Sequence, residues 1–201
     1  MIGAARISSL AQVALKVASP GVPDVYQGCE LWDLSLVDPD NRRPVDWAQR
    51  RKLLDAIAGR ASEGAESRLQ LARELSQPAS LVDGRAKLLV LREALRLRRA
   101  HGPLFLEGEY LPLAVDGADA AHVVAFARRH NGERAVCVVP RLTLTLLDRG
   151  AGKLAIDAQV RLPAELRGAW TDVVTGRAIE PSETLSVALL LADFPVALLA
   201  G

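Results

Sequence analysis

Cysteine is scarce: Cys29 and Cys137 are the two in 201 residues, far apart and in no CxxC spacing. Usage this sparse excludes a disulfide scaffold and predicts free thiols in a reducing compartment, so the chain is expected to be cytoplasmic. Neither sign of charge is in excess, with 25 Lys and Arg against 24 Asp and Glu. Without a net field to recruit a polyanion, a general nucleic-acid or anionic-membrane role is excluded and neutral partners fit better. The longest apolar candidate, Leu185 to Leu191, is interrupted by Ser186 and falls short of the roughly 18 residues needed to span a bilayer. The first residues, Met-Ile-Gly-Ala-Ala-Arg, lack a basic region followed by an uninterrupted apolar stretch, which argues against a signal peptide. His101, His122 and His130 pair with no nucleophile or ligand cluster, and no metal site is expected.

Half of the residues are hydrophobic, enough for a sizeable core in one large or two small domains. Apolar residues at Ile7, Leu10, Ala11, Ala14 and at Val13, Val17 predict a helix over Ala4 to Ala18, apolar on nearly every side. Pro20 and Gly21 end it, and a short strand, Asp24 to Gln27, is expected to follow. Helix, turn and strand make the αβ half of a β/α unit. On its own such a unit leaves the strand without neighbours and the helix without a sheet, so partners are expected elsewhere.

Residues 31 to 46 have loop composition. Asp46 is a plausible N-cap for a helix from Trp47 to Ala58, with Trp47, Leu53, Leu54 and Ile57 on its apolar side and Gly59 as its stop. Further helices are expected over Glu66 to Leu75 and Arg85 to Ala100. In the last, Leu88, Leu91, Ala94 and Leu95 should face inward and Arg92, Arg96 and Arg99 outward, with Gly102 and Pro103 beyond its end. After Gly108 the pattern changes to β-rich runs: Glu109 to Val115, His122 to Arg129, Arg134 to Pro140, Trp170 to Val174, Thr184 to Leu191 and Val196 to Leu199. Asn131-Gly132 is the strongest hairpin signal, because both residues tolerate the positive φ of a tight turn. An antiparallel sandwich or meander follows.

Specific sequence is concentrated in Val22 to Gly28 and in the run Glu30-Leu-Trp-Asp-Leu-Ser-Leu-Val-Asp-Pro-Asp-Asn-Arg-Arg-Pro-Val-Asp46. The first is similar to the last barrel strand of the α-amylase superfamily. The second resembles the malto-oligosyltrehalose synthases without a gap, as do the downstream stretches Leu95-Arg-Leu-Arg-Arg99 and Gly108-Glu-Tyr-Leu-Pro-Leu113. The likeness covers most of the first 130 residues and thins in the final β region.

This resemblance implies an α+β chain: residues 1–103 supply the last helix and strand of a (β/α)8 TIM barrel with a helical connection, and residues 104–201 form an all-β antiparallel C-terminal sandwich domain. It implies an intramolecular transglycosylase that re-forms the reducing-end α-1,4 linkage of a malto-oligosaccharide as the α,α-1,1 linkage of trehalose, without a cofactor. The superfamily's catalytic carboxylates sit on earlier barrel strands, so none is assigned here and the chain alone is expected to be inactive.

Loops after barrel strands build such active sites, and this placement makes Tyr26, Glu30, Trp32, Asp38, Asp40, Asn41, Arg42 and Arg43 the candidate substrate contacts. Sugar hydroxyls both donate and accept, which suits short acceptors beside long donors, while Tyr26 and Trp32 offer flat faces. A hydrolase of the same superfamily, a non-catalytic glucan-binding or structural β module, and an inactive product of a broken reading frame remain alternatives. An exposed apolar helix and strand edge would favour self-association.

Overall fold

A computed structural model describes residues 2–34, 42 and 44–201. Helix α1 spans Ile2–Ala18, α2 Trp47–Ser62, α3 Ala65–Ser76 and α4 Arg85–Ala100, with a short α5 at Gly102–Leu106. The strands are β1 (Glu109–Pro112), β2 (Val115–Asp116), β3 (Val123–His130), β4 (Glu133–Pro140), β5 (Gln159–Arg161), β6 (Trp170–Asp172), β7 (Ala178–Ile179), β8 (Thr184–Ser186) and β9 (Ala197–Ala200). Between them lie α6 (Thr143–Arg149) and α7 (Val187–Leu190).

Six strands pair in the order β1-β3-β4-β9-β6-β7 and three in the order β2-β5-β8, with antiparallel pairing throughout. The mixed α and β content and antiparallel sheets agree with the sequence reading. In the β3–β4 hairpin His130 pairs with Glu133 across Asn131 (φ 47°) and Gly132 (φ 88°), the left-handed pair expected there.

Alternation along the central strands divides the interior into two cores. Ala135, Cys137 and Val139 of β4, with Phe126 and Leu198, pack against Leu10, Ala14 and Val17 of α1 and Leu89, Val90 and Ala94 of α4. Val136 and Val138, with Ala197 and Leu199, face a second core filled by Trp170, Val160, Leu166, Leu185 and Leu146. Burial on both faces explains why these strands are nearly continuous apolar runs. Each fully buried Leu, Val or Phe contributes about 1.5–3 kcal/mol. Polar ties also cross between helices and sheet: Asp193 accepts from Arg73 of α3 at 2.7 Å and from Arg177, after β6, at 2.9 Å.

Several elements differ from expectation. Residues 24–27 form no strand, because a strand exists only when a neighbour takes its hydrogen bonds, and among the described residues no strand lies beside this run. Helix α2 passes through Gly59 to Ser62, since Ile57 and Ala61, one turn apart, are both buried and their packing outweighs a glycine cost of about 1 kcal/mol. Trp47 and Leu54 of α2 are exposed, at 54% and 38%. In α4, Leu95 is exposed and Arg92 half-buried against Glu93, because the inward stripe runs through Leu91, Ala94 and Arg98. The run Glu109 to Val115 splits between the two sheets, and Thr184 to Leu191 turns into α7 after Ser186, whose Oγ accepts from the Leu189 amide at 3.4 Å.

Candidate functional site

The candidate residues follow the end of α1. Its last turn is held by Arg98, whose guanidinium donates to the carbonyls of Val17 (2.7 Å), Ser19 (3.3 Å) and Gly21. A cation at a helix C-terminus also answers the negative end of the helix dipole. Burial pulls the Arg98 pKa down.

Beyond this anchor the chain runs irregularly to a turn in which the Cys29 amide donates to the Tyr26 carbonyl at 3.1 Å. Tyr26 is 54% exposed, so its ring is presented to solvent. Residues 28 to 33 are tied down at several points. Arg50 of α2 donates through Nη2 to the Gly28 carbonyl (2.9 Å), through Nε to the Glu30 carboxylate (3.0 Å) and through Nη1 to the Asp46 carbonyl (3.2 Å). Asp46, the expected N-cap, accepts from the Gln49 amide at 2.9 Å. Lys87 of α4 donates to the Leu31 carbonyl at 3.0 Å and sits 5.9 Å from the Trp32 ring centroid, within cation–π range. Burial pushes the Lys87 pKa down. Burial, then a hydrogen bond from Cys29 Sγ to Asp33 Oδ2 (3.4 Å), pushes the Cys29 thiol up.

Tyr26, Glu30 and Trp32 thus lie on one anchored stretch, with Trp32 half-buried between the tether and solvent, and Arg42 is exposed. Asp38, Asp40, Asn41 and Arg43 lie outside the described residues. The stretch offers a flat aromatic face, a fixed carboxylate and backbone groups, which suits gripping a neutral polyol. Among the described residues no three His, Cys, Asp or Glu side chains gather as a metal would require, and no helix is long and apolar enough to cross a membrane.

Sequence reasoning missed Arg50, Lys87 and Arg98. Lys87, Leu91, Ala94 and Arg98 fall on one helical stripe at i, i+4, i+7 and i+11, so the periodicity of α4 did hold a signal. Arg98 stands in an arginine-rich run, among the Arg92, Arg96 and Arg99 expected to face outward. For the reach of Arg50 to Glu30 and Gly28 no local signal exists, since these partners are 20 and 22 residues away.

The chain is 41% identical over 195 residues, 97% of its length, to proteins named "Putative maltooligosyl trehalose synthase" from two strains of Mycobacterium tuberculosis. Its sequence and fold match one part of the maltooligosyl trehalose synthases. It spans about a fifth of the length of these curated relatives. The crystal structure of a maltooligosyl trehalose synthase superposes with a TM-score of 0.66 at 26% identity, covering 99% of this chain and 22% of that one. A noncanonic maltogenic α-amylase from Thermotoga neapolitana shares the fold at 14% identity, with a TM-score of 0.57 over 98% of this chain and 36% of that one. No family model matches the chain.

Proposed function

We propose that this chain is the C-terminal part of a malto-oligosyltrehalose synthase, in which residues 1–103 form the end of the catalytic (β/α)8 barrel with a helical connection and residues 104–201 a sandwich domain of antiparallel strands into which the short helices α6 and α7 are inserted rather than an all-β one. The observation that carries this reading is identity sustained over 195 residues with the synthase relatives. The exposed Val22, Tyr26 and Leu34 support it, since apolar side chains flanking a run that forms no strand are what neighbouring barrel strands would cover. Uncovered, the same surface favours self-association.

In this reading the substrate is a malto-oligosaccharide and the reaction an intramolecular transglycosylation in the cytoplasm. A glycosyl-enzyme forms as the reducing-end glucose is released; the glucose turns over and its anomeric hydroxyl attacks, giving the α,α-1,1 linkage. Retention of this kind needs a nucleophile and an acid/base carboxylate about 5 Å apart. Those groups belong to earlier barrel strands, so the chain alone is inactive. Tyr26, Glu30, Trp32, Asp38, Asp40, Asn41, Arg42 and Arg43 hold the glucose and keep it from exchanging with water.

The test is product analysis of maltopentaose incubated with this chain, with and without a polypeptide supplying the rest of a synthase relative. A non-reducing, trehalose-ended product in the mixture alone is expected. Free reducing sugar as the sole product would identify a hydrolase, and no product in either would overturn the catalytic reading.

A further inference from the structure

Strand β7 ends the six-stranded sheet and β8 ends the three-stranded one, and residues 180–183 join the two. These free edges, with α7 beside them, line a cavity of about 410 Å³ that shares no residue with the candidate run after α1. The size falls within the roughly 300–1,000 Å³ of small-molecule sites. Leu185 and Leu190, 3% and 8% exposed, give the cavity an apolar base, and Leu189 is exposed at 65%. Around them stand Gln159, Arg177, Glu180, Ser182 and Thr184, which mix donors with acceptors. Arg177 and Glu180 offset each other in charge. Asp172 also lines the cavity, but its carboxylate is spent on Thr175 Oγ (2.6 Å) and on the amides of Val174 and Leu198. A neutral molecule with many hydroxyls and one apolar face matches this lining better than an ion does.

The walls are set before any ligand arrives. Arg177 Nη1 donates to the Leu189 carbonyl at 3.0 Å and to Asp193 at 2.9 Å, tying the β6–β7 turn to α7. Ser182 Oγ accepts from the Thr184 amide at 3.2 Å. Such preorganisation lowers the ordering cost of binding. By contrast, among the described residues the side chains of Gln159, Glu180 and Thr184 make no hydrogen bond within the chain, which leaves an amide, a carboxylate and a hydroxyl for a ligand. The edges themselves, two residues in β7 and three in β8, are too short to template an added peptide strand.

We infer that the cavity between β7, β8 and α7 is a second, non-catalytic carbohydrate site that holds the end of a malto-oligosaccharide. That the ligand is a neutral sugar follows from the lining; that it is a malto-oligosaccharide rests on the synthase reading above. The polar rim takes the hydroxyls and the leucines take the C–H face of the ring. No aromatic ring lines the cavity among the described residues, so binding is weak. A weak second site still serves a polymeric substrate, because a chain held at one point stays at high local concentration for the rest of the enzyme.

The experiment titrates the isotopically labelled chain with maltotriose and follows its amide resonances, alongside Ala178→Phe and Glu180→Gln. Ala178 is exposed on β7 and lines the cavity, so a phenyl ring there occupies the site and leaves the core alone. Saturable shifts should concentrate on residues 177–190, with a dissociation constant on the order of 1 mM. Ala178→Phe should weaken binding about tenfold by filling the space, and Glu180→Gln about threefold by removing a charged acceptor. Should Ala178→Phe lower the urea midpoint, Glu180→Gln on the exposed connection decides alone, and unchanged affinity there overturns the site. No saturable shift in residues 177–190 overturns it too, and shifts confined to residues 22–34 do so while supporting the synthase reading. Equal shifts with sucrose overturn the preference for malto-oligosaccharides. If shifts at the cavity persist while the maltopentaose product test fails, the carbohydrate site stands and the synthase reading falls.

Discussion

The guanidinium of Arg128, on β3, donates to the carbonyl of Ala18, the last residue of α1, at 3.3 Å across 110 residues of chain. The same group donates to the carbonyls of Phe105 (3.1 Å), Gly108 (2.8 Å) and Glu109 (3.4 Å), and Arg128 is only 2% exposed. Burial, and the nearby charge of Arg98, pull its pKa down, but a guanidinium remains charged. This buried cation is stabilised by carbonyl dipoles gathered from α1, α5 and β1. Arg128→Met keeps much of the volume and strands those carbonyls; a loss of about 3 kcal/mol is expected, read as a lower urea midpoint. Arg128→Lys should recover only part, because one ammonium cannot span the acceptors.

Asp172 gives the chain a particular response to pH. Its carboxylate is buried, and desolvation pushes its pKa up to about 6 although Thr175 Oγ (2.6 Å) and the amides of Val174 and Leu198 donate to it. The folded state therefore holds this proton more tightly than the unfolded chain, whose Asp titrates near 3.9. The resulting stability is fully present below about pH 4 and is lost as pH rises to about 6, on the order of 3 kcal/mol at most. Asp119 acts oppositely: its hydrogen bond from Arg149 lowers its pKa, so its contribution is lost only at more acid pH. Urea melts between pH 4 and 6.5 should show the decline, and Asp172→Asn should flatten it. A wild-type profile that rises over this range would refute the assignment.

Gly84 abuts the stretch that carries Trp32. A Cβ there would lie 2.7 Å from the Trp32 amide nitrogen and 3.0 Å from Leu31 Cα, at a φ of +80°. Gly84→Ala should cost about 2 kcal/mol and alter tryptophan emission. Gly59→Ala is the control: its Cβ would meet open space within α2, and a gain of about 0.5–1 kcal/mol is expected in the same thermal melts.

The two thiols should separate cleanly. Cys137 is wholly buried in β4 and desolvation pushes its pKa far up, whereas Cys29 is partly exposed. A disulfide-exchange reagent should label one cysteine in the native chain, identified as Cys29 by peptide mapping, and both in denaturant. Early labelling of Cys137 would mean that the sheet opens readily.

Where local chemistry decides the structure, the sequence was legible: Pro20 and Gly21 end α1, Asp46 caps α2, and Asn131-Gly132 turns the β3–β4 hairpin. Features that depend on a distant partner were not. Residues 24–27 have strand composition but no neighbour, and Trp47 and Leu54 have core character but no core over them. Strand β5 and helix α6 carry too few residues for their periodicity to stand out, and tertiary contacts complete them. In the candidate site the run of Tyr26, Glu30 and Trp32 was readable because its members are close in sequence. The ties from Arg50 to Gly28 and Glu30 were not, because partners 20 or more residues apart leave no spacing to detect.

Strands β3, β4 and β9 form the wall common to both cores, with Phe126, Cys137 and Leu198 on one side and Val136, Val138 and Leu199 on the other. Severing the chain after residue 103 would leave an intact strand order with one greasy face turned to water, so an isolated β half should be sticky and readily aggregated. The helices act as this sheet's lid as much as a module of their own, and heating should melt both layers in a single transition.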